Sequence, residues 1–186
     1  IWITQGLGAA QDAKSTERGI RYLCKNFSWP YGFQSHSNPG APGVILEGGE
    51  LGYALSTSYG AVLDNPDLIV ACVIGDGEAE TGPTAAAWHI NKFIDTATNG
   101  VVLPILHLNG YKISGPTIFG RMSDKELKSL FYGYGYQPFI VEEPNIYSKM
   151  ISTLEKCYKT IKNIKNKARK TKVVSPRFPV IILKTQ

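Results

Sequence analysis

The chain has 186 residues, 43% of them hydrophobic and 19% charged, with a formal net charge of +5. That balance describes a globular domain and excludes a disordered or collagen-like chain. No apolar run approaches the roughly 18 residues that span a bilayer, and the opening IWITQGLGAA has neither a basic leader nor a long apolar core, so neither a membrane segment nor a secretory signal is predicted.

The positive charge is local. Residues 156–172 carry eight lysines and arginines and no acid, which leaves the rest of the chain at −3. The most basic half of that segment has no interleaved aromatics, so a solvated helix face is predicted and nucleic acid is not expected as a partner. Three cysteines, odd in number and far apart, fit neither disulfides nor metal-ligand spacing, and a reducing, cytoplasmic setting is expected.

In chain order, residues 1–15 show little pattern. From Thr16 a short amphipathic helix is predicted, with Ile20, Leu23, Cys24 and Phe27 at helical spacing. Residues 28–49, rich in proline and glycine, read as a long functional loop. A helix follows from Glu50, with Leu51, Ala54, Leu55, Tyr59 and Val62 on one face, ending near Pro66. Leu68 to Ile74 is an apolar run predicted as a buried central strand, and it reaches Gly75-Asp76-Gly77. A helix is predicted from Thr84 to about Ile94. A second buried strand, Val101 to Leu108, then ends at Asn109-Gly110-Tyr111. Ser123 followed by Glu126 fits a capping box, opening a helix that stops at Gly133. Tyr136 to Val141 reads as a strand. From Asn145 an apolar stripe of Ile146, Met150, Leu154, Cys157, Ile161 and Ile164 marks a long helix, with its lysines on the other faces. Pro179 to Leu183 is the last strand. The alternation predicts an α/β fold, a mostly parallel sheet covered by helices on both faces, within a single domain.

Two strands therefore end on polar, glycine-flanked tips, at the end of the sheet where such folds bind ligands. Glycines beside a helix start let backbone N–H groups approach phosphate oxygens. A carboxylate there, Asp76, implies a divalent cation between it and the phosphates, and Asn109 can add an amide oxygen. Asn109 follows Asp76 by 33 residues, room for one strand–helix–strand crossover. Taken alone, GDG reads first as a plain strand–helix turn.

The wider words are more specific. GDG followed some thirty residues later by asparagine resembles the thiamine-diphosphate motif of the transketolase superfamily. SHSNPGAPGVILEGGELGYALS, VIGDGEAETGPTAAAWHINKF and LPILHLNGYKISGPT closely resemble phosphoketolases, and the likeness runs from about Thr16 to Lys184. It implies the superfamily's diphosphate-binding fold, with thiamine diphosphate and Mg2+ as cofactors. The implied reaction is phosphorolytic cleavage of xylulose 5-phosphate or fructose 6-phosphate to acetyl phosphate. The sugar phosphate and inorganic phosphate are then the small-molecule partners. Asp76, the Asn109 side chain and the Tyr111 carbonyl match the magnesium ligands. Gly75, Gly77 and Glu78 match positions around the diphosphate, through backbone groups, and Gly49 and Leu51 match cofactor contacts. His36 matches an active-site histidine. Glu80 resembles carboxylates near the subunit interface, His107 reads as a satisfied core histidine, and His89 as a packing residue.

The family's Gly-His-Gly loop, its lysine-containing loop and its pyrimidine-binding domain have no counterpart here. The chain is therefore expected to be a diphosphate-binding domain incomplete at both ends, inactive alone, and part of a homodimer when intact. Transketolase-type transfer to an aldose, or a non-catalytic remnant that binds a partner, are the alternatives.

Overall fold

A computed structural model describes residues 17–36, 38–40, 44–46, 49–171 and 176–185. Thr16, residues 37, 41–43 and 47–48 of the predicted loop, and Lys172 of the basic segment lie outside the described residues. The chain forms two compact units, divided between Leu51 and Gly52.

In the second unit the apolar runs become β1 (Ile69–Gly75) and β2 (Val101–Leu108). They pair in parallel from Ile69↔Val101 to Gly75↔His107, so both tips emerge side by side. β5 (Tyr136–Val141) and β6 (Phe178–Lys184) complete a parallel sheet of order β1-β2-β6-β5. Between them chain order places β3 (Tyr111–Lys112) and β4 (Gly115–Pro116), a small antiparallel hairpin that follows the second tip.

The near-continuous apolar strands supply two cores. Val102, Leu106 and Leu108 face one side with Cys72, Ile74, Val180 and Ile182; Val101, Leu103 and Ile105 face the other with Ile181. On the first side lie α2 (Ala54–Val62), α4 (Gly82–Ala87) and α5 (Asp124–Tyr134). Trp88 fills their centre: it is 1% exposed, its rings meet Phe131 and Tyr136 edge-on, and Nε1 donates to the Ala79 carbonyl. On the second side lies α6 (Ile146–Ala168), through Cys157 and Ile161. The predicted parallel sheet, covered on both faces, is the fold observed.

Several local expectations are corrected. β1 is an edge strand among the described strands rather than a central one, and Val73 is 65% exposed on its α6 side. α2 begins at Ala54 and ends at Val62, short of Pro66. The helix expected over Thr84–Ile94 is broken into α4 and a 3-10 turn at Ile90–Lys92, and a separate single turn, α3 (Asp76–Ala79), precedes them. The break between α3 and α4 follows from Thr81, in extended conformation, Gly82 at φ +56°, and Pro83. α5 carries the predicted capping box, with Ser123 and Glu126 bonded reciprocally, but runs past Gly133 to a left-handed Gly135. On α6, Leu154 is exposed, and Lys165 is buried where a solvent-facing lysine was expected. Its ammonium donates to the carbonyls of Thr96 (2.6 Å) and Asn99, in the loop before β2.

The first unit contains α1 (Glu17–Asn26), which buries Leu23 while Ile20 stays exposed. The Asn26 carbonyl accepts from Trp29 and Phe33 N–H groups, closing a tight loop in which Phe33 meets Tyr22 edge-on.

Candidate active site at the ends of two parallel strands

β1 ends at Gly75 in extended conformation, and Asp76 opens α3. The Asp76 carboxylate is 2% exposed and accepts three hydrogen bonds. Oδ1 takes the Gly77 N–H at 3.0 Å; Oδ2 takes the Gly110 N–H at 2.8 Å and the Thr117 hydroxyl at 2.8 Å. Asp76 thus joins the first tip to the second. Asn109 is exposed beside it, with its Oδ1 accepting the Tyr111 N–H at 2.9 Å.

The donor set suits a hard cation. An ionised carboxylate offers about four acceptor directions, so three bonds leave one on Oδ1. An amide oxygen has two lone pairs, and one bond on Asn109 Oδ1 leaves the second. The register partner of Tyr111 in the hairpin is Pro116, which has no N–H to give the Tyr111 carbonyl. One carboxylate with neutral oxygens matches the way magnesium is held beside phosphates. Among the described residues no cluster of three His, Cys, Asp or Glu side chains could hold a metal alone. Around Gly75 there is open space, with no atom within 4 Å of where a Cβ would stand. That leaves room for a ligand above Gly75 at the β1 tip. Because α3 is one turn long, its dipole contributes little; individual N–H groups are what it offers.

Glu78 does a further job with its side chain. Its Oε1 accepts the N–H groups of Gly52 (3.0 Å) and Ala54 (3.3 Å), capping the start of α2, whose first N–H groups have no helical partner. Glu80, with a side chain 5% exposed, pairs with the Lys112 ammonium and accepts the Ile118 N–H at 2.6 Å. Both ends of the β3–β4 hairpin are so tied to the segment after α3. Lys112 in turn lies against Gly77, its Cβ 3.0 Å from where a Gly77 Cβ would stand.

Gly75, Asp76, Gly77, Glu78, Asn109 and Tyr111 therefore share one end of one sheet. His36, Gly49 and Leu51 belong to the first unit, where all three are exposed. Nδ1 of His36 is 2.9 Å from the Ser35 hydroxyl. The histidine borders an open hollow of about 480 Å3 with Trp29, Tyr31 and Gln34. His107 Nε2 lies 2.7 Å from the Thr185 hydroxyl, the satisfied histidine expected, and His89 packs edge-on against Tyr134. Burial pushes the Cys72 thiol up to about 11, so it stays protonated and is no nucleophile. Thr117 and Lys112 had no signal in the sequence: the spacing of ISGPT resembles any turn, and only the hairpin delivers Thr117 to Asp76.

The profile of the XFP N-terminal domain matches residues 7–186, beginning nine residues before the likeness read at Thr16. The chain is 54% identical over 178 residues to a probable phosphoketolase of Nitrosomonas europaea, covering 94% of this chain and 22% of that protein. It is 56% identical over 172 residues to a probable phosphoketolase of Gloeobacter violaceus, covering 90% and 22%. The chain thus spans about a fifth of the length of these curated relatives. A transketolase from Campylobacter jejuni superposes with a TM-score of 0.53 at 18% identity, over 98% of this chain and 27% of that one, which shows a shared fold. On the profile match and these relatives, the chain belongs to the XFP N-terminal domain family.

Proposed function

We propose that this chain is the diphosphate-binding part of a thiamine-diphosphate- and Mg2+-dependent phosphoketolase. The single observation that carries the reading is the Asp76 carboxylate, buried between two strand tips and bonded to both, with Asn109 and Tyr111 oxygens on the second tip. Asp76, Asn109 and the Tyr111 carbonyl would hold magnesium, and Gly75, Gly77 and the backbone of Glu78 the diphosphate. Gly49 and Leu51 would contact the cofactor's ring. Bound thiamine diphosphate would supply the nucleophilic carbon that cleaves a ketose phosphate; the two-carbon unit would lose water, and inorganic phosphate would take it as acetyl phosphate. His36 hydrogen-bonds a substrate oxygen or moves a proton at it. The substrates are xylulose 5-phosphate, fructose 6-phosphate or both. The intact enzyme is a cytoplasmic homodimer, its pyrimidine-binding part lies outside this chain, and the chain alone is inactive.

The test uses the full-length protein. Calorimetric titration should show thiamine diphosphate binding that requires Mg2+ and is lost in Asp76→Ala. Acetyl phosphate should form from fructose 6-phosphate and phosphate, and should exceed sedoheptulose phosphate formed with an aldose acceptor. Absence of Mg2+-dependent binding, or transfer to an aldose in place of phosphate, sinks the reading. Turnover by the 186-residue chain alone would overturn the claim that it is inactive.

A further inference from the structure

Thr117 is 0% exposed and sits directly after β4, yet its N–H and its hydroxyl are both spent on the two strand tips. Its N–H donates to the Gly110 carbonyl at 3.0 Å. Its hydroxyl lies 2.8 Å from Asp76 Oδ2, and the Gly120 N–H points at the same hydroxyl oxygen from 3.0 Å. An ionised carboxylate only accepts, so the one hydroxyl proton goes to Asp76 and the Gly120 N–H occupies a lone pair. The rotor is pinned from both sides. The pinning depends on close approach: a Cβ on Gly120 would stand 2.6 Å from the Gly110 Cα and 2.8 Å from its carbonyl oxygen. The 3-10 turn at Phe119–Arg121 therefore lies against the loop that carries Asn109.

We propose that Thr117 is a positioning residue for the metal site: it fixes the rotation of the Asp76 carboxylate and reserves one named oxygen for the cation. The inference rests on the proposed cofactor reading. With the Gly110 N–H and the Thr117 hydroxyl, Oδ2 has both of its lone-pair directions filled by the protein. Oδ1 carries only the Gly77 N–H, so Oδ1 is the oxygen that would be left to hold a cation. Without the hydroxyl, Oδ2 keeps one donor and regains a lone pair. The carboxylate can then rotate or offer either oxygen, and the Gly120 N–H loses its acceptor. Partners of this kind, which orient a ligand without touching the metal, commonly change metal affinity by about ten- to a hundredfold.

Thr117→Val keeps the shape and removes the hydroxyl; Thr117→Ser keeps the hydroxyl and removes the methyl. In the full-length protein, Mg2+ is titrated at saturating thiamine diphosphate and followed by tryptophan fluorescence, with circular dichroism to establish folding. Thr117→Val should weaken apparent Mg2+ affinity by about ten- to a hundredfold, with Thr117→Ser within about threefold of wild type. Wild-type affinity in folded Thr117→Val overturns the proposal. So does a Thr117→Ser defect equal to that of Val, since the methyl would then be what matters. Should Val fail to fold, Thr117→Ala carries the same comparison with Ser. A wild-type protein that shows no Mg2+-dependent binding refutes the cofactor reading itself, a result distinct from any difference between variants.

Discussion

Glu78 offers a measurable separation of backbone and side-chain roles. Its carboxylate takes two N–H groups, from Gly52 at 3.0 Å and Ala54 at 3.3 Å, and it is 9% exposed. Bonds from neutral donors to a charged acceptor contribute roughly 1.5–3 kcal/mol each. The longer Ala54 bond belongs at the bottom of that range, and some of the loss is recovered by water reaching the freed N–H groups. Glu78→Ala should therefore loosen the start of α2 by about 2–4 kcal/mol, and Glu78→Gln, which keeps one acceptor oxygen, by about 1 kcal/mol. At about 1.4 kcal/mol per factor of ten, amide exchange over residues 52–57 should accelerate roughly 30- to 700-fold in Ala and about fivefold in Gln, where exchange follows the local opening equilibrium. Hydrogen exchange with mass spectrometry on the intact protein reads this directly, and β2 serves as the internal reference. α2 itself should stay docked, because Leu55, Tyr59 and Val62 remain buried at 0%, 5% and 0% exposure. Unchanged exchange over 52–57 in Glu78→Ala would refute the anchoring role and leave only the backbone of Glu78 with a function.

Lys165→Met removes an ammonium that donates to two loop carbonyls while keeping the apolar stem, and it should cost roughly 2–4 kcal/mol. Differential scanning calorimetry of the intact protein checks it; an unchanged Tm would show that the ammonium's desolvation cancels its bonds. Glu126 has its pKa lowered by the Ser123 backbone N–H and, next, by the Ser123 hydroxyl. A depressed carboxylate pKa contributes stability present above the unfolded value, near 4.5, and lost as pH falls through the folded value. The Tm gap between Ser123→Ala and wild type should narrow as pH drops below that window, leaving the part due to the Ser123 hydroxyl accepting the Glu126 N–H, and a gap that does not narrow contradicts the assignment.

Much of the fold was legible because local chemistry and tertiary need agreed. β2, β5 and β6 are runs whose apolar side chains serve two cores at once, and such runs have few other uses. The capping box at Ser123 and the stripe on α6 are likewise local patterns, formed by neighbours in sequence. Misreadings cluster where a distant partner decides. The helix expected over Thr84–Ile94 ends at Ala87, and Trp88 then turns inward to the Ala79 carbonyl and an aromatic pocket. Lys165 reads as one more surface lysine until α6 lies over the Thr96–Asn99 loop and its ammonium finds two carbonyls. The β3–β4 hairpin is too short to leave a periodic signal, and it is held by Glu80 from 30 residues and more away.

The sequence by itself determined which residue types stand at the strand tips, and the resemblance of the longer blocks around them pointed to the family. Asp76 and Asn109 could be named because the two tips end successive parallel strands, which a single crossover brings together; Tyr111 came only with the resemblance. Only the tertiary structure decided how Asp76 is held. Its partners Gly110 and Thr117 lie 34 and 41 residues away, and hydrogen-bond direction depends on ångström-scale placement that composition and spacing do not encode. The same holds for Glu78, whose carboxylate meets the Gly52 and Ala54 N–H groups only once α2 is folded against it.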